Sequence, residues 1–431
     1  MNLSTLYLHL ILGAQAGIRL LNFLLFFKLF RTSAEMDVYF LLLSSISALS
    51  LLPTILVGQF MFFYHRVKKE STPLAYQLYG FSLSYLILVG GTLTTIAFLG
   101  QKVFLTFLPG LDLHRQKLFS QLLVYFIPIL LLSPITALNI RLFQSEMHFA
   151  LPYLLQGLPS YFHFSGLLYL WLNHEANIVW LAKIYLLGEF SATLCTLLYT
   201  KRLKIPLHLP QWSHPWGKEM LKNSILIHIS QSLYQTLLPY ANNYFLSFFP
   251  QGVASLFYYS LRIATTLFQI SALPAVDICR AKISKEVAKK GKFLLPSLMR
   301  EYVPKTYGWL ILGTGTVAMA LPWLLNWIGG TGKVNPENLT LFRWIFLFLS
   351  LWHFVYFILT FFAGWMLAWN QYKTILTLNL IFILTYFLLG NTLLFGLGWY
   401  PLLIPIALLC STILHCGLYG YFAWKTQPTQ K

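Results

Sequence analysis

Apolar residues in this chain gather into about twelve blocks, each holding the roughly 20 residues a helix needs to cross a bilayer. The blocks run approximately Leu6–Phe30, Asp37–Tyr64, Ala75–Leu99, Leu118–Ile140, Phe149–Leu172, Ile178–Tyr199, Leu221–Phe249, Val253–Cys279, Val303–Ile328, Leu341–Trp369, Thr374–Phe395 and Leu402–Trp424. In hydrocarbon a backbone must satisfy its own hydrogen bonds, so blocks of this kind predict an all-α polytopic membrane protein with about 12 transmembrane helices. Of the 431 residues, 57% are apolar and only 10% charged, which leaves almost no chain for a soluble domain. The first block lacks a basic leader and a small-residue cleavage site, so it reads as a retained helix.

The net charge of +18 does not point to nucleic acid once its placement is considered. The richest basic stretches, Arg66–Lys69, Lys201–Lys204 and Arg280–Lys292, each follow an even-numbered block. Connections of the other parity, such as Asn173–Asn177 and Pro250–Gly252, carry no Lys or Arg, with Arg31, Lys102, Arg115, Lys117 and Lys333 as exceptions. The positive-inside rule then puts both termini in the cytoplasm. Cys195, Cys279, Cys410 and Cys416 lie within or at the ends of blocks without CxxC spacing. They read as packing residues, and neither a metal nor another cofactor is expected.

The long connection after the sixth block divides the chain into an N-terminal six-helix lobe (1–200), a cytoplasmic inter-lobe connection (201–219) and a C-terminal six-helix lobe (220–431). Six is even, so both lobes enter from the same side, as parallel repeats do. In the connection 281–300, Ile283 and Val287 sit at i, i+4 among lysines. That spacing suits a helix on the inner leaflet, and a solvated basic loop fits equally well.

Polar residues interrupt the apolar blocks at helical spacing. An arginine at the centre of a spanning helix costs roughly 2.5–3.5 kcal/mol, so Arg19 and Arg262 need a polar cavity or a charged ligand. On the first helix Gln15, Arg19 and Asn22 follow i, i+4, i+7. On the eighth, Tyr258, Arg262, Thr266 and Gln269 follow i, i+4, i+8, i+11, and the row continues past the apolar Leu273 to Asp277, with Pro274 a kink near that end. The seventh carries Ser224, His228, Gln231, Gln235 and Asn242 on one face and no acid. Any one stripe alone would read as polar bridging between helices, whereas the three together predict a hydrated cavity. Lys183 and Glu189, six residues apart, fall on different faces of the sixth helix. Asp37 suits either the N-terminal turn of a helix or a gating ion pair with Arg19 or Lys28. His228 reads as a packing residue before a proton carrier, and His174-Glu175 as an ordinary loop dipeptide.

The stretch from Phe30 through Asp37 to Phe40, after an arginine-bearing helix, resembles the first hairpin of the MurJ (MviN) lipid II flippases. Val253-Ala254-Ser255-Leu256-Phe257-Tyr258-Tyr259-Ser260-Leu261-Arg262 is similar to that family's tyrosine pair and following arginine. The order of helices and loops from Leu6 to Lys425 also fits. The resemblance implies the multidrug/oligosaccharidyl-lipid/polysaccharide (MOP) exporter fold, with two six-helix lobes around a central cavity that opens alternately to each side. By the same resemblance Arg262 matches a cavity arginine and Asp37 a gate-side aspartate, and Arg19 matches in kind. The chain departs from the family pattern in having Leu261 where many members have an acid, and in showing twelve blocks instead of fourteen. It also has no acid in Leu221–Phe249 or Thr374–Phe395, which argues against sodium coupling.

These readings lead to a flippase, not an enzyme, that moves an undecaprenyl-pyrophosphate-linked glycan such as lipid II from the inner to the outer leaflet. Arg19 and Arg262 would hold the pyrophosphate, since arginine grips such anions through paired hydrogen bonds. Gln15, Asn22, His228, Gln231, Gln235, Tyr258, Thr266 and Gln269 would line the cavity, with Asp37 as gate. The expected setting is the bacterial inner membrane, and the expected partners are the lipid-linked glycan and membrane lipids, with the chain acting as a monomer. The alternatives are a Wzx-type exporter of O-antigen or other polysaccharide units, a multidrug exporter, a membrane glycosyltransferase or an inert scaffold.

Overall fold

The computed structural model describes residues 3–106, 108–146, 148, 150–272, 275–276, 279, 283, 295–329, 336–369, 371–398 and 400–425. Regular structure among them is helical throughout, as a chain confined to hydrocarbon requires. In order the helices are α1 (Leu3–Phe30), α2 (Ala34–Ser50), α3 (Ile55–Glu70), α4 (Thr72–Leu99), α5 (Gln101–Thr106), α6 (Leu113–Phe126), α7 (Ile129–Ser145) and α8 (Ala150–Gln156). They continue as α9 (Leu158–Leu172), α10 (Ile178–Arg202), α11 (Gly217–Ser247), α12 (Val253–Ser271), α13 (Leu295–Gly329), α14 (Pro336–Ala368), α15 (Tyr372–Leu397) and α16 (Leu403–Lys425). Six spans among the described residues are long and apolar enough to cross a membrane: α4, α6 with α7, α10, α14, α15 and α16.

Three apolar blocks that read as single helices are broken. The second divides into α2 and α3 at residues 51–54, where Pro53 cannot donate to the ladder. Local hydroxyls take up acceptors that the break releases. Ser50 Oγ donates to the Ser47 carbonyl (2.7 Å), and Thr54 Oγ1 to the carbonyls of Ser50 (3.1 Å) and Leu51 (2.9 Å). The fourth block bends at Pro128, between α6 and α7, and the fifth breaks at Gly157, between α8 and α9. The short α5 lies in a connection that the sequence reading leaves without structure.

The described chain forms two compact units, residues 1–228 and 229–431. The core of the first joins α3, α4 and α7 through Phe60, Phe63, Leu78, Leu138, Leu142 and Phe143, with Ile205 and Met220 added from farther along the chain. A polar ladder ties α4, α7 and α10 together. Tyr79 Oη donates to Asn139 Oδ1 (2.7 Å), Asn139 Nδ2 donates to Thr196 Oγ1 (3.0 Å), and the hydroxyls of Thr136 and Thr193 share a hydrogen bond (2.9 Å). The second unit has a core of Phe268, Leu310, Phe357, Trp365, Leu378 and Tyr419. Its helices are cross-linked by Tyr386 Oη to Asn242 Oδ1 (2.6 Å), Tyr419 Oη to Asn379 Oδ1 (3.0 Å) and Trp352 Nε1 to Thr412 Oγ1 (3.0 Å).

Residues 203–216 form a strap across the first unit. It passes so close to α4 that a Cβ on Gly80 would fall 2.4 Å from the His208 carbonyl oxygen, so only glycine fits there. The Gln211 amide donates to Ser84 Oγ (2.9 Å), and Arg66 stacks over the Trp216 ring at 4.1 Å. Nearby, at the ends of α3 and α7, Glu146 accepts from Lys68 Nζ (2.6 Å) and from the Tyr64 hydroxyl. Partial burial opposes ionisation of Glu146, but these two donors outweigh it and hold its carboxyl below the usual carboxylate range.

His214 anchors the strap. It is 4% exposed, its Nδ1 accepts from the Trp216 amide (3.1 Å), and its Nε2–H donates to the Leu74 carbonyl (3.0 Å). Both bonds together require the neutral ring, and burial depresses its pKa below the ordinary 6.5, against the opposing effect of the Leu74 bond. A histidine whose folded pKa is lowered stabilises the fold fully above its unfolded value, and that contribution fades as pH falls below it. Wild-type protein should therefore exceed a His214→Ala variant in thermal unfolding midpoint at pH 7.5, with an advantage of about 1–2 kcal/mol, and the gap should narrow by pH 5. A gap independent of pH in scanning fluorimetry would refute this role.

Candidate functional site

In the first unit the candidate site centres on α1, and the structure separates the members of its stripe. Gln15 Nε2 donates to the Tyr153 carbonyl (2.6 Å) and to the Tyr161 hydroxyl (3.2 Å), and Asn22 Nδ2 donates to the Ser160 carbonyl (3.1 Å). Both side chains are buried, at 7% and 5% exposure, while Arg19 between them is exposed. Gln15 and Asn22, expected to line a cavity, are buried here and tie α1 to α8 and α9. The reason lies at the break around Gly157. There the Tyr153 carbonyl already accepts the Gly157 amide (3.1 Å), and its second lone pair takes Gln15. Among the described residues Arg19 makes no ion pair.

Asp37 is fully buried in the first turn of α2, whose N-cap is Ser33. A carboxylate in that turn also suits the helix dipole. Lys28, considered as its partner, lies over the Trp171 ring at 4.7 Å. Two residues along α2, the Tyr39 hydroxyl meets His163 Nε2 of α9 at 3.0 Å, a buried pair that no spacing within one helix announces. Lys183 is exposed and Glu189 buried, in keeping with their lying on different faces of α10.

In the second unit α12 has two distinct faces. Ala264 and Phe268 are buried, the latter packing its ring against Phe357 (6.5 Å) and His353 (5.2 Å) of α14. Arg262, Thr266 and Gln269, at i, i+4, i+7, are all exposed, with Thr266 Oγ1 donating to the Arg262 carbonyl (2.8 Å). Tyr258, expected in the same row, is buried and donates its hydroxyl to Asn243 of α11. Like Gln15 and Asn22, it is buried and hydrogen-bonded to a neighbouring helix. The stripe's far member, Asp277, lies outside the described residues.

On α11 the ends of the stripe are buried, Ser224 at 0% and Asn242 at 4% exposure, the latter engaged by Tyr386. The side chains of His228, Gln231 and Gln235, expected between them, lie outside the described part of the structure. Of the residues singled out by spacing, the structure thus keeps exposed one basic group on α1 and a row of three on α12. On α12 a guanidinium is flanked by neutral hydrogen-bonding side chains, groups that can bind an anion. Among the described residues no three His, Cys, Asp or Glu side chains cluster to hold a metal ion.

Residues 37–431 match the family model for the lipid II flippase MurJ. A comparison with curated sequences returns no match. Among solved structures, a lipid II flippase MurJ in an inward closed conformation aligns at a TM-score of 0.78 and 16% identity, over 98% of this chain and 88% of that one. An inward-facing multidrug resistance MATE family transporter of the MOP superfamily aligns at 0.74 and 13% identity, over 95% of this chain and 94% of that one. A MOP superfamily transporter from Pyrococcus furiosus aligns at 0.68 and 14% identity, over 97% and 93%. At such identities the structural likeness establishes the MOP fold, and the family match establishes lineage and a transporter, not an enzyme. The chain belongs to the MurJ lipid II flippase family.

Proposed function

We propose that the protein carries an undecaprenyl-pyrophosphate-linked glycan of the lipid II kind from the inner to the outer leaflet by alternating access between two six-helix lobes. The observation that supports this reading most is the exposed row Arg262, Thr266, Gln269 on α12, a basic group among neutral hydrogen-bonding side chains inside an apolar chain. Lipid would penalise such a face, and a pyrophosphate would reward it. Arg262 is the leading candidate to bind the pyrophosphate, and Arg19 is a second candidate ligand for it. Thr266 and Gln269, with His228, Gln231 and Gln235, solvate the sugar while the polyprenyl tail stays in the bilayer. Asp37 closes the outer side against a basic neighbour. Both termini lie in the cytoplasm of a bacterium, and a single chain suffices. A site that held its cargo too tightly would trap it, so moderate affinity on both sides of the membrane serves transport better.

Removing the guanidinium removes charge-assisted bonds worth about 1.5–3 kcal/mol each, or roughly ten- to a hundredfold in affinity. Arg262→Ala should therefore cut flipping of a lipid-linked pyrophosphate glycan in proteoliposomes at least about tenfold, at unchanged membrane abundance. Normal flipping by that variant would sink the assignment. The identity of the glycan separates by phenotype: depletion should lyse cells if the cargo is a peptidoglycan precursor, and only strip a surface polysaccharide if it is not.

Gln15 and Asn22 should behave in the opposite way. Gln15→Ala or Asn22→Ala leaves a carbonyl of α8 or α9 without its second donor, so each variant should lose about 1–2 kcal/mol of stability. Flipping per correctly folded molecule should stay near the wild-type rate. A variant with wild-type thermal stability and impaired flipping would return these residues to the cavity.

A further inference from the structure

A groove of about 490 Å³ opens in the first unit between α4, the α6–α7 bend and α10. It has a structural cause. Helix α4 closes on α7 at Gly90, where a Cβ would stand 3.1 Å from the Leu130 carbonyl oxygen. One turn farther along α4, beside Thr94, the opposing chain changes course at Pro128, and the space is unfilled. Apart from the hydroxyl-bearing Thr94 and Tyr125, most of the lining is apolar, including Leu131, Leu186 and Phe190. Lys183 is the single charged residue of the lining.

The polar groups are not scattered. Lys183 lies in the second turn of α10 and Thr94 near the last turn of α4, so both mark one end of the groove. The Lys183 ammonium sits 5.6 Å from the Tyr125 ring centroid, and its side chain is exposed. Leu186 and Phe190 follow it at i+3 and i+7, so the same face of α10 continues as an apolar track toward the membrane interior. A polar end with one cation above an apolar track has the layout of an amphiphile site.

The charge count selects the amphiphile. One ammonium balances one negative charge, and a phosphodiester carries one. A glycan-linked pyrophosphate carries two negative charges and would leave one of them unmatched here. We propose that this groove binds a monoanionic glycerophospholipid, its phosphodiester on Lys183 and one acyl chain along Leu131, Leu186 and Phe190. The site lies at the outer-leaflet end of the first unit under the proposed topology. It rests on the chain's being a membrane protein and is independent of the transported glycan.

The test uses the full-length purified protein in phosphatidylcholine nanodiscs, titrated with phosphatidylglycerol and read by native mass spectrometry. Saturable binding is expected, weakened on the order of fivefold by Lys183→Gln, the effect of about one surface charge on anionic-lipid affinity. Lys183→Arg should retain it, Leu186→Trp should block it by filling the track, and Arg262→Ala should leave it unchanged. Equal binding to wild type and Lys183→Gln, or equal occupancy by phosphatidylcholine, would overturn the proposal and leave only annular lipid. Displacement of phosphatidylglycerol by stoichiometric undecaprenyl pyrophosphate would also overturn it, by making the groove part of the transport path.

Discussion

Every backbone amide and carbonyl that enters hydrocarbon must find a partner inside the protein, and the arrangement of this chain follows from that demand. Uninterrupted helix meets it for α4, α10, α14, α15 and α16. At two of the places where a helix stops within an apolar block, polar side chains stand close to the stop. Ser50 and Thr54 serve the carbonyls around Pro53. Gln15 and Asn22 bond to carbonyls of the helices on either side of Gly157, reaching from another helix. Gln15 and Asn22 look like functional polarity when read along one helix, and here they tie that helix to its neighbours.

That coupling explains which parts of the molecule were legible in the sequence. Long apolar blocks bounded by charge located most helices, because length and hydropathy are properties of a single segment. The breaks at residues 51–54 and at Gly157 were not legible. An apolar block containing Pro or Gly continues or breaks according to whether hydroxyls and amides elsewhere can compensate, and that is a property of the packing. The connection 201–219 reads as a link between lobes because its basic residues and prolines set it apart from the apolar blocks on either side. Its anchors are Ile205 and His214, both buried, and the apolar character of Ile205 beside the lysines was the available signal. The ladder through Asn139 and Thr196 was within reach too, since Thr136 and Asn139 on α7 and Thr193 and Thr196 on α10 share an i, i+3 spacing. Spacing alone does not say that two such pairs face each other.

The same limit separates the members of the polar stripes. Spacing at i, i+4, i+7 places residues on one face, but what that face meets depends on the neighbouring helix. An amide side chain is readily absorbed by packing, because a carbonyl already bonded within its helix has a second lone pair to offer. Gln15 uses one at Tyr153 and Asn22 one at Ser160. Tyr258 is absorbed in a similar way by Asn243.

A guanidinium resists this absorption. It has five donors in a planar fork and a charge that spare carbonyl lone pairs compensate only in part. Burying it between two helices would require several carbonyls to converge on one plane, a geometry that regular helices seldom present. Arginine on a polar stripe is therefore pushed toward whatever face packing leaves open, while its amide and hydroxyl neighbours are drawn inward. Arg19 remains exposed between two buried amides, and Arg262 is exposed beside a buried Tyr258. Thr266 and Gln269 stay out with Arg262 because α12 gives its other face to α14. What survives this sorting in each unit is basic and, on α12, flanked by neutral hydrogen-bonding groups. Such a remainder suits an anionic headgroup bearing sugars better than a cationic drug, whose site would need the opposite charge.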